Sequence, residues 1–202
     1  TVYPVYDTSI SVICCTNDLP YLYHGHSFTQ NGTYEVHLST VHGCDSVVHL
    51  TLTILESPYA IISGITDICP GSSTSLSANG NGTFRWSTGA TRSPITVNTP
   101  GWYVLTVTAT NGCKAYDSVE VAHLPLPNVT ISGSNSVCRG SELLLMASGA
   151  YSYNWNTGVM GPVLSVTPTQ TTSYVVTGTS DRGCTATATH IVSVKAVPVA
   201  NI

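Results

Sequence analysis

The chain has 202 residues, of which only 8% are charged, with six Lys and Arg against ten Asp and Glu and a formal net charge of −4. A nucleic-acid binder needs a basic stripe to meet the phosphates, and six scattered cations do not make one. No apolar run reaches the roughly 18 residues of a membrane-spanning helix, and the abundance of Ser, Thr, Val, Gly and aromatic residues favours strands and tight turns over helices.

Taken from the N-terminus, residues 1–8 read as the end of a preceding repeat and its linker, because Thr1-Val-Tyr-Pro4 matches Leu52-Thr-Ile-Leu-Glu-Ser-Pro58. Residues 9–56 form a short repeat that runs from Cys15 through Tyr21-Leu-Tyr23-His-Gly25 and the alternating Tyr34-Glu-Val-His-Leu38 to Gly43-Cys44. Residues 57–125 form a longer one, opened by Cys69-Pro-Gly-Ser72 and carrying Phe84-Arg-Trp86-Ser-Thr-Gly89, Tyr103-Val-Leu-Thr-Val107 and Asn111-Gly-Cys113. Residues 126–197 repeat it, from Cys138-Arg-Gly-Ser141 through Tyr153-Asn-Trp155-Asn-Thr-Gly158 and Tyr174-Val-Val-Thr177 to Arg182-Gly-Cys184. Residues 198–202 resemble the start of a further linker, so both ends look cut from a longer array. The Gly-Cys pairs recur after 69 residues (113 − 44) and 71 residues (184 − 113), and a fixed period of this kind marks a string of small domains.

Period-two alternation in Ser75–Ala78, Ile95–Val97, Tyr103–Thr108 and Ser118–Val121, closed by Asn-Gly, Thr-Gly, Pro-Gly or similar turn chemistry, predicts short antiparallel strands. The fold class is all-β, tandem immunoglobulin-like antiparallel sandwiches in a linear array. Inward pointing of Tyr103, Leu105 and Val107 together with Val119 and Val121 requires an even sum of paired positions, which centres the last hairpin of each repeat on Gly43, Gly112 and Gly183. Trp86, Trp155 and, in the short repeat, Tyr23 hold matching places. A sugar-stacking platform is one reading of them; recurrence with the scaffold favours the other, core aromatics.

Domains of this size bury only about 60% of their unfolded surface and need a staple. Seven cysteines supply one and argue for an oxidising, extracellular compartment. The expected pairs lie within repeats: Cys15 with Cys44, Cys69 with Cys113, and Cys138 with Cys184, leaving Cys14 unpaired. A difficulty attends this pairing. In the usual strand path the second strand starts at the opposite end from the turn between the last two, beyond the 4.4–6.8 Å that a disulfide spans between Cα atoms. Either a strand is skipped or one cysteine sits further into the sheet.

With Cys-x-Gly-Ser, aromatic-x-Trp-x-Thr-Gly, Tyr-x-Val and Asn-Gly-Cys in order, the two longer repeats resemble the immunoglobulin-like or PKD-like tandem repeats of large Bacteroidota secreted and cell-surface proteins. The short repeat is similar to a related one through Cys15-Thr-Asn-Asp18-Leu-Pro-Tyr21, Phe28, Gly32-Thr-Tyr34 and Gly43-Cys44-Asp-Ser-Val-Val48. The resemblance implies a glycoprotein at the outer-membrane exterior, adhesin-like or gliding-type, exported by type IX secretion, with Ser46 and Ser118 in Asp-Ser-Val as O-glycan acceptors. Cys14 departs from the pattern.

Five of the seven histidines fall in the short repeat, and the hairpin register brings His37 near His49. A zinc or copper site is one reading, but no Cys or carboxylate stands at a ligand spacing, so solvated strand-face histidines are expected and no metal or cofactor is assigned. His190 should point inward and find a hydrogen-bond partner. No Gly-x-Ser-x-Gly elbow and no paired carboxylates support catalysis. The expected function is a non-catalytic extracellular stalk or fibre segment whose partners are the neighbouring repeats, with surface glycans or other cell-surface proteins beyond them. A carbohydrate-binding array and the accessory region of a secreted hydrolase are the alternatives.

Overall fold

The computed structural model describes residues 7–39 and 45–196. Strands β1 (Asp7–Cys15), β2 (Tyr21–Tyr23), β3 (His26–Phe28), β4 (Gly32–Ser39) and β5 (Asp45–Leu55) come first, with a single 3-10 turn, Thr16–Asp18, after β1. The next seven are β6 (Ala60–Ser63), β7 (Asp67–Ile68), β8 (Thr74–Gly80), β9 (Thr83–Trp86), β10 (Ile95–Val97), β11 (Gly101–Thr108) and β12 (Lys114–His123). Then follow β13 (Thr130–Ser132), β14 (Ser136–Cys138), β15 (Leu143–Ser148), β16 (Ser152–Trp155), β17 (Val163–Val166), β18 (Thr172–Thr179) and β19 (Thr185–Lys195). The chain is built of immunoglobulin-like β-sandwich modules. It divides into two compact units, Thr1–Ile65 with Ser75–Val97 and Gly101–Glu120, and Thr66–Thr74 with Asn98–Pro100 and Val121–Ile202.

In unit one, β5 is flanked by β1, which runs parallel to it with Cys15 opposite Leu55, and by antiparallel β4. Alternation along β4 and β5 buries Val36, Val48, Leu50 and Leu52. β2 and β3 pair only with each other, Tyr23 opposite His26. Tyr23 is therefore half-buried, its ring edge-on to His24 with centroids 4.6 Å apart, and it is not the core residue expected of it: a two-stranded ribbon has no third strand to cover it. The rest of the unit sets the sheet β10-β8-β6 with β9, β11 and the first part of β12, around Leu76, Trp86, Ile95, Val97, Tyr103, Leu105 and Val107.

Unit two repeats that design. Strands β13, β15 and β17 form one sheet and β14, β19, β18 and β16 the other, with Leu145, Ala147, Trp155, Leu164, Tyr174, Val176 and Val192 buried together. The entering chain changes sheets: β13 pairs antiparallel with β15, whereas β14 pairs parallel with β19, Cys138 opposite Lys195. β7 meets the end of β12 in the same way, Asp67 opposite Ala122.

Two register expectations change. The hairpin pairs Thr179 with Thr185, and the Ser180 amide donates to the Cys184 carbonyl at 2.8 Å, so the turn is centred on Arg182 and not on Gly183. The Ala109 amide likewise donates to the Cys113 carbonyl at 2.9 Å, centring that turn on Asn111 rather than Gly112. A three-residue loop of this kind is a type I turn followed by a left-handed residue, so the glycine is its third position; φ is 87° at Gly112 and 86° at Gly183. Moving the centre by one residue keeps the sum even, which is why the inward faces hold. In the short repeat Gly43 lies outside the described residues, but Ser39 pairs with Asp45, which sets Glu35 opposite His49 and His37 opposite Val47. His37 and His49 thus stand near each other on the diagonal of the register and not directly opposite.

The disulfides also differ. Cys15 bonds to Cys113 and Cys69 to Cys184, so none of the three pairings within repeats forms as expected. The parallel opening strand is the reason. It carries Cys15 to the Leu55 end of β5 and Cys138 to the Lys195 end of β19, while Cys184 stands just before β19 begins. Eleven residues of strand at about 3.3 Å each leave roughly 35 Å between Cys138 and Cys184, far beyond a disulfide's reach. Cys44 lies outside the described residues; Cys14 is a free, half-buried thiol and Cys138 a free, exposed one.

Candidate functional site

Both bridges follow one rule: the cysteine at the end of an opening strand (Cys15) or directly after it (Cys69) is joined to the Gly-Cys cysteine of the next repeat. Around Cys15–Cys113, with Cα atoms 5.8 Å apart, the 3-10 turn after β1 and the linker after β5 exchange hydrogen bonds. The Ser57 amide donates to Thr16 Oγ1 at 2.9 Å, and the Asn17 amide donates to Ser57 Oγ at 3.0 Å. From the hairpin, Asn111 Nδ2 donates to the Glu56 carbonyl at 2.8 Å while its Oδ1 accepts the Cys113 amide at 3.0 Å, closing an Asx turn that presents the cysteine. Cys113 itself is buried.

Cys69–Cys184 is built alike, with Cα atoms 5.4 Å apart and Cys184 buried. Arg182 Nη2 donates to Asp67 Oδ2 at 2.5 Å, and the Leu124 amide donates to the Ile68 carbonyl at 2.8 Å, fastening the outgoing end of β12 to the opening strand. The linker then passes Gly149, where φ is 92° and a side chain would overlap the Asn128 carbonyl oxygen. A cleft of about 520 Å³ borders this linker, between Leu124–Pro127 and Tyr151 and Arg182.

Magnitudes rank these contacts. The Asp67–Arg182 pair is about half exposed, which limits it to roughly 0–1 kcal/mol, and each neutral hydrogen bond contributes about 1 kcal/mol. A disulfide closing loops of 98 and 115 residues stabilises by about 4–5 kcal/mol on the loop-entropy argument. The covalent tie dominates each junction and the polar contacts set its geometry.

Trp86 and Trp155 are buried, and each indole Nε1 donates to a backbone carbonyl, Arg92 at 3.1 Å and Gly161 at 3.0 Å. Ser46 is half-buried on β5; Ser118 is exposed on β12, beside Asp117, whose Oδ2 accepts the Ile62 amide at 2.7 Å. His190 Nε2 lies 3.3 Å from the Ser134 carbonyl. His49 contacts Asp7 at 3.1 Å and Glu35 at 3.7 Å, and among the described residues no group of three or more His, Cys, Asp or Glu is placed to hold a metal ion. Sequence reasoning missed the exposed pair Trp102 and Tyr116 on adjacent strands β11 and β12, each next in sequence to a buried residue, Tyr103 and Ala115. It also missed the staggered bridges. Their signal was present in the conflict between pairing within a repeat and the strand path.

No protein-family model matches the chain, and a search of curated proteins finds no match. Among solved structures, one similar to it is a Ca2+-stabilized adhesin with which an Antarctic bacterium binds ice, at TM-score 0.40 and 13% identity, covering 82% of this chain and 57% of that one. Immunoglobulin domains 1–5 of Sidekick-1 match at TM-score 0.32 and 11% identity over 94% of this chain and 59% of theirs. Bacteroides ovatus SGBP-B, solved with a mixed-linkage heptasaccharide, matches at TM-score 0.21 and 16% identity over 84% and 55%. The chain thus spans somewhat more than half the length of each. Likenesses this distant carry no argument about activity; the sandwich assignment rests on the sheets themselves.

Proposed function

We propose that this chain is a non-catalytic, tension-bearing segment of an extracellular, adhesion-related protein, its repeats 9–56, 57–125 and 126–197 joined covalently across their junctions. The observation that carries it is the stagger: two bridges tie an opening strand to the hairpin of the following repeat, the arrangement that resists separation of neighbours under load. The disulfides put it in an oxidising compartment. The motifs it shares with Bacteroidota PKD-like repeats support a place in a type IX-exported surface glycoprotein of adhesion or gliding, with Ser46 and Ser118 as O-glycan acceptors and neighbouring repeats as the first partners.

Force extension of the whole chain held at its ends tests this. The shortest covalent path crosses from Cys15 to Cys113, returns 44 residues to Cys69 (113 − 69) and crosses to Cys184. Fully unfolded, that path of roughly 80 residues extends about 280 Å, against about 700 Å for the reduced chain. Extension to the longer value without reductant overturns the reading.

A second reading rests on Trp102 and Tyr116: in the β11–β12 register they stand four residues apart, so each exposed aromatic face is a separate stacking surface for a ring of an extended glycan. On it the chain carries a carbohydrate-binding surface.

A further inference from the structure

The third opening cysteine repeats the setting of the first two but has no partner. Cys138 ends β14 opposite Lys195 at the end of β19, as Cys15 ends β1 opposite Leu55 at the end of β5. The turn that follows is also the one that follows Cys69. The Ser141 amide donates to the Cys138 carbonyl at 3.0 Å, as the Ser72 amide donates to the Cys69 carbonyl at 3.0 Å, and Gly140 (φ 75°) stands where Gly71 (φ 82°) does. Two of three equivalent cysteines are bonded to a Gly-Cys hairpin; the third is a free, exposed thiol.

We propose that Cys138 is a docking thiol for the Gly-Cys cysteine of a further repeat of the same kind, positioned after this one in the same chain. This deepens the reading of locked junctions and rests on it. The arriving hairpin is the three-residue loop seen at Asn111-Gly-Cys113 and Arg182-Gly-Cys184, with its glycine left-handed and its cysteine turned inward. The structure also selects the residue two places before that cysteine. Ser136 stands where Asp67 stands in the preceding junction, so an arginine would lack its carboxylate there and a neutral hydrogen-bonding residue such as the Asn of Asn111-Gly-Cys113 fits better. In forming the bond, two S–H bonds break and one S–S bond forms. The two protons and two electrons pass to the disulfide of an oxidising dithiol-disulfide oxidoreductase, which leaves as the dithiol.

Non-reducing peptide mapping of the protein purified from its source, after alkylation of free thiols, tests the proposal. The expected map joins Cys138 to a cysteine that follows glycine in a segment beyond Ile202, with no alkylated Cys138. Cys138 recovered alkylated, or joined to Cys14, overturns it. A bond to Cys44 of a second copy overturns it in favour of head-to-tail pairing between chains. The same map reads the other two bridges: absence of Cys15–Cys113 and Cys69–Cys184 defeats the locked-junction reading, whereas their presence beside a free Cys138 defeats only this inference. As a second measurement, the 202-residue chain is extended by another copy of residues 132–197 that carries Arg182→Asn in the added copy, which continues the linker pattern and supplies the Asn-Gly-Cys hairpin. Cys138 should lose its reactivity toward a maleimide, and a Cys138→Ser variant should leave the added Gly-Cys thiol reactive in its place. Reactivity of Cys138 equal to that in the unextended chain, with the added repeat resistant to protease, overturns the proposal. If the added repeat is cleaved, the map of the source protein decides.

Discussion

Arg182 donates a hydrogen bond to Asp67 at 2.5 Å, and each residue stands two places before one of the two cysteines joined as Cys69–Cys184. The ion pair and the disulfide are therefore two rungs between the same hairpin and the same opening strand. The equivalent places at the other junction are Asn111 and Ile13. Ile13 offers no side-chain acceptor, and Asn111 bonds to the Glu56 carbonyl of the linker instead. Because Asp67 and Arg182 are about half exposed, Arg182→Ala should cost no more than about 1 kcal/mol, and the loss should shrink in high salt. Denaturant titration at two ionic strengths checks this; a salt-independent loss above 2 kcal/mol would mean that the pair positions the disulfide.

The bridge itself should matter more. Cys69→Ser should destabilise by about 4 kcal/mol, the scale expected for opening a loop of 115 residues, and Cys184→Ser should match it because each removes the same bond. The double variant should be no worse than either single one. Mass spectrometry after alkylation should find Cys184 newly reactive in Cys69→Ser. Unchanged stability with Cys184 still protected would overturn the Cys69–Cys184 bridge.

Gly149 gives a backbone test at the same junction. Its φ of 92° costs an L-residue about 1–3 kcal/mol, and the added methyl group would also overlap the Asn128 carbonyl as the linker enters the repeat. Gly149→Ala should lower stability by at least that amount, with hydrogen exchange rising first around Asn128 and Val129. Gly183→Ala should cost only the backbone term, since nothing lies within 4 Å of its added carbon.

Much of this fold was legible because it rests on local rules. Alternation in Tyr103–Val107 and in Tyr174–Val176 reported the buried face, and Gly112 and Gly183 reported the hairpins, since only a left-handed position demands glycine there. The centre of the turn was misplaced by one because sequence marks the glycine and not its position in the loop. What sequence could not carry was the path of Cys69 and Cys138: that β7 and β14 run parallel to the last strand is a non-local choice, and it alone decides which end of the sandwich holds the cysteine. Tyr23 failed for a related reason, as its place in the motif matches Trp86 while its strand pairs only with β3.

The two tryptophan classes separate stability from recognition. Trp155 is 2% exposed and packed in the unit-two core, so Trp155→Ala should cost about 3–5 kcal/mol, through lost contacts and the cavity left behind. Trp102 is 64% exposed and Tyr116 is 65% exposed, so alanine at either should leave the melting curve within about 0.5 kcal/mol of the parent. Their effect, if any, falls on binding. On the tension-bearing reading, the parent and Trp102→Ala show the same glycan-array profile and the same force-extension length. Glycan binding by the parent that disappears in both Trp102→Ala and Tyr116→Ala, at unchanged stability, would establish the carbohydrate-binding surface. The disulfide junctions would then serve to hold that surface in place rather than to carry load alone.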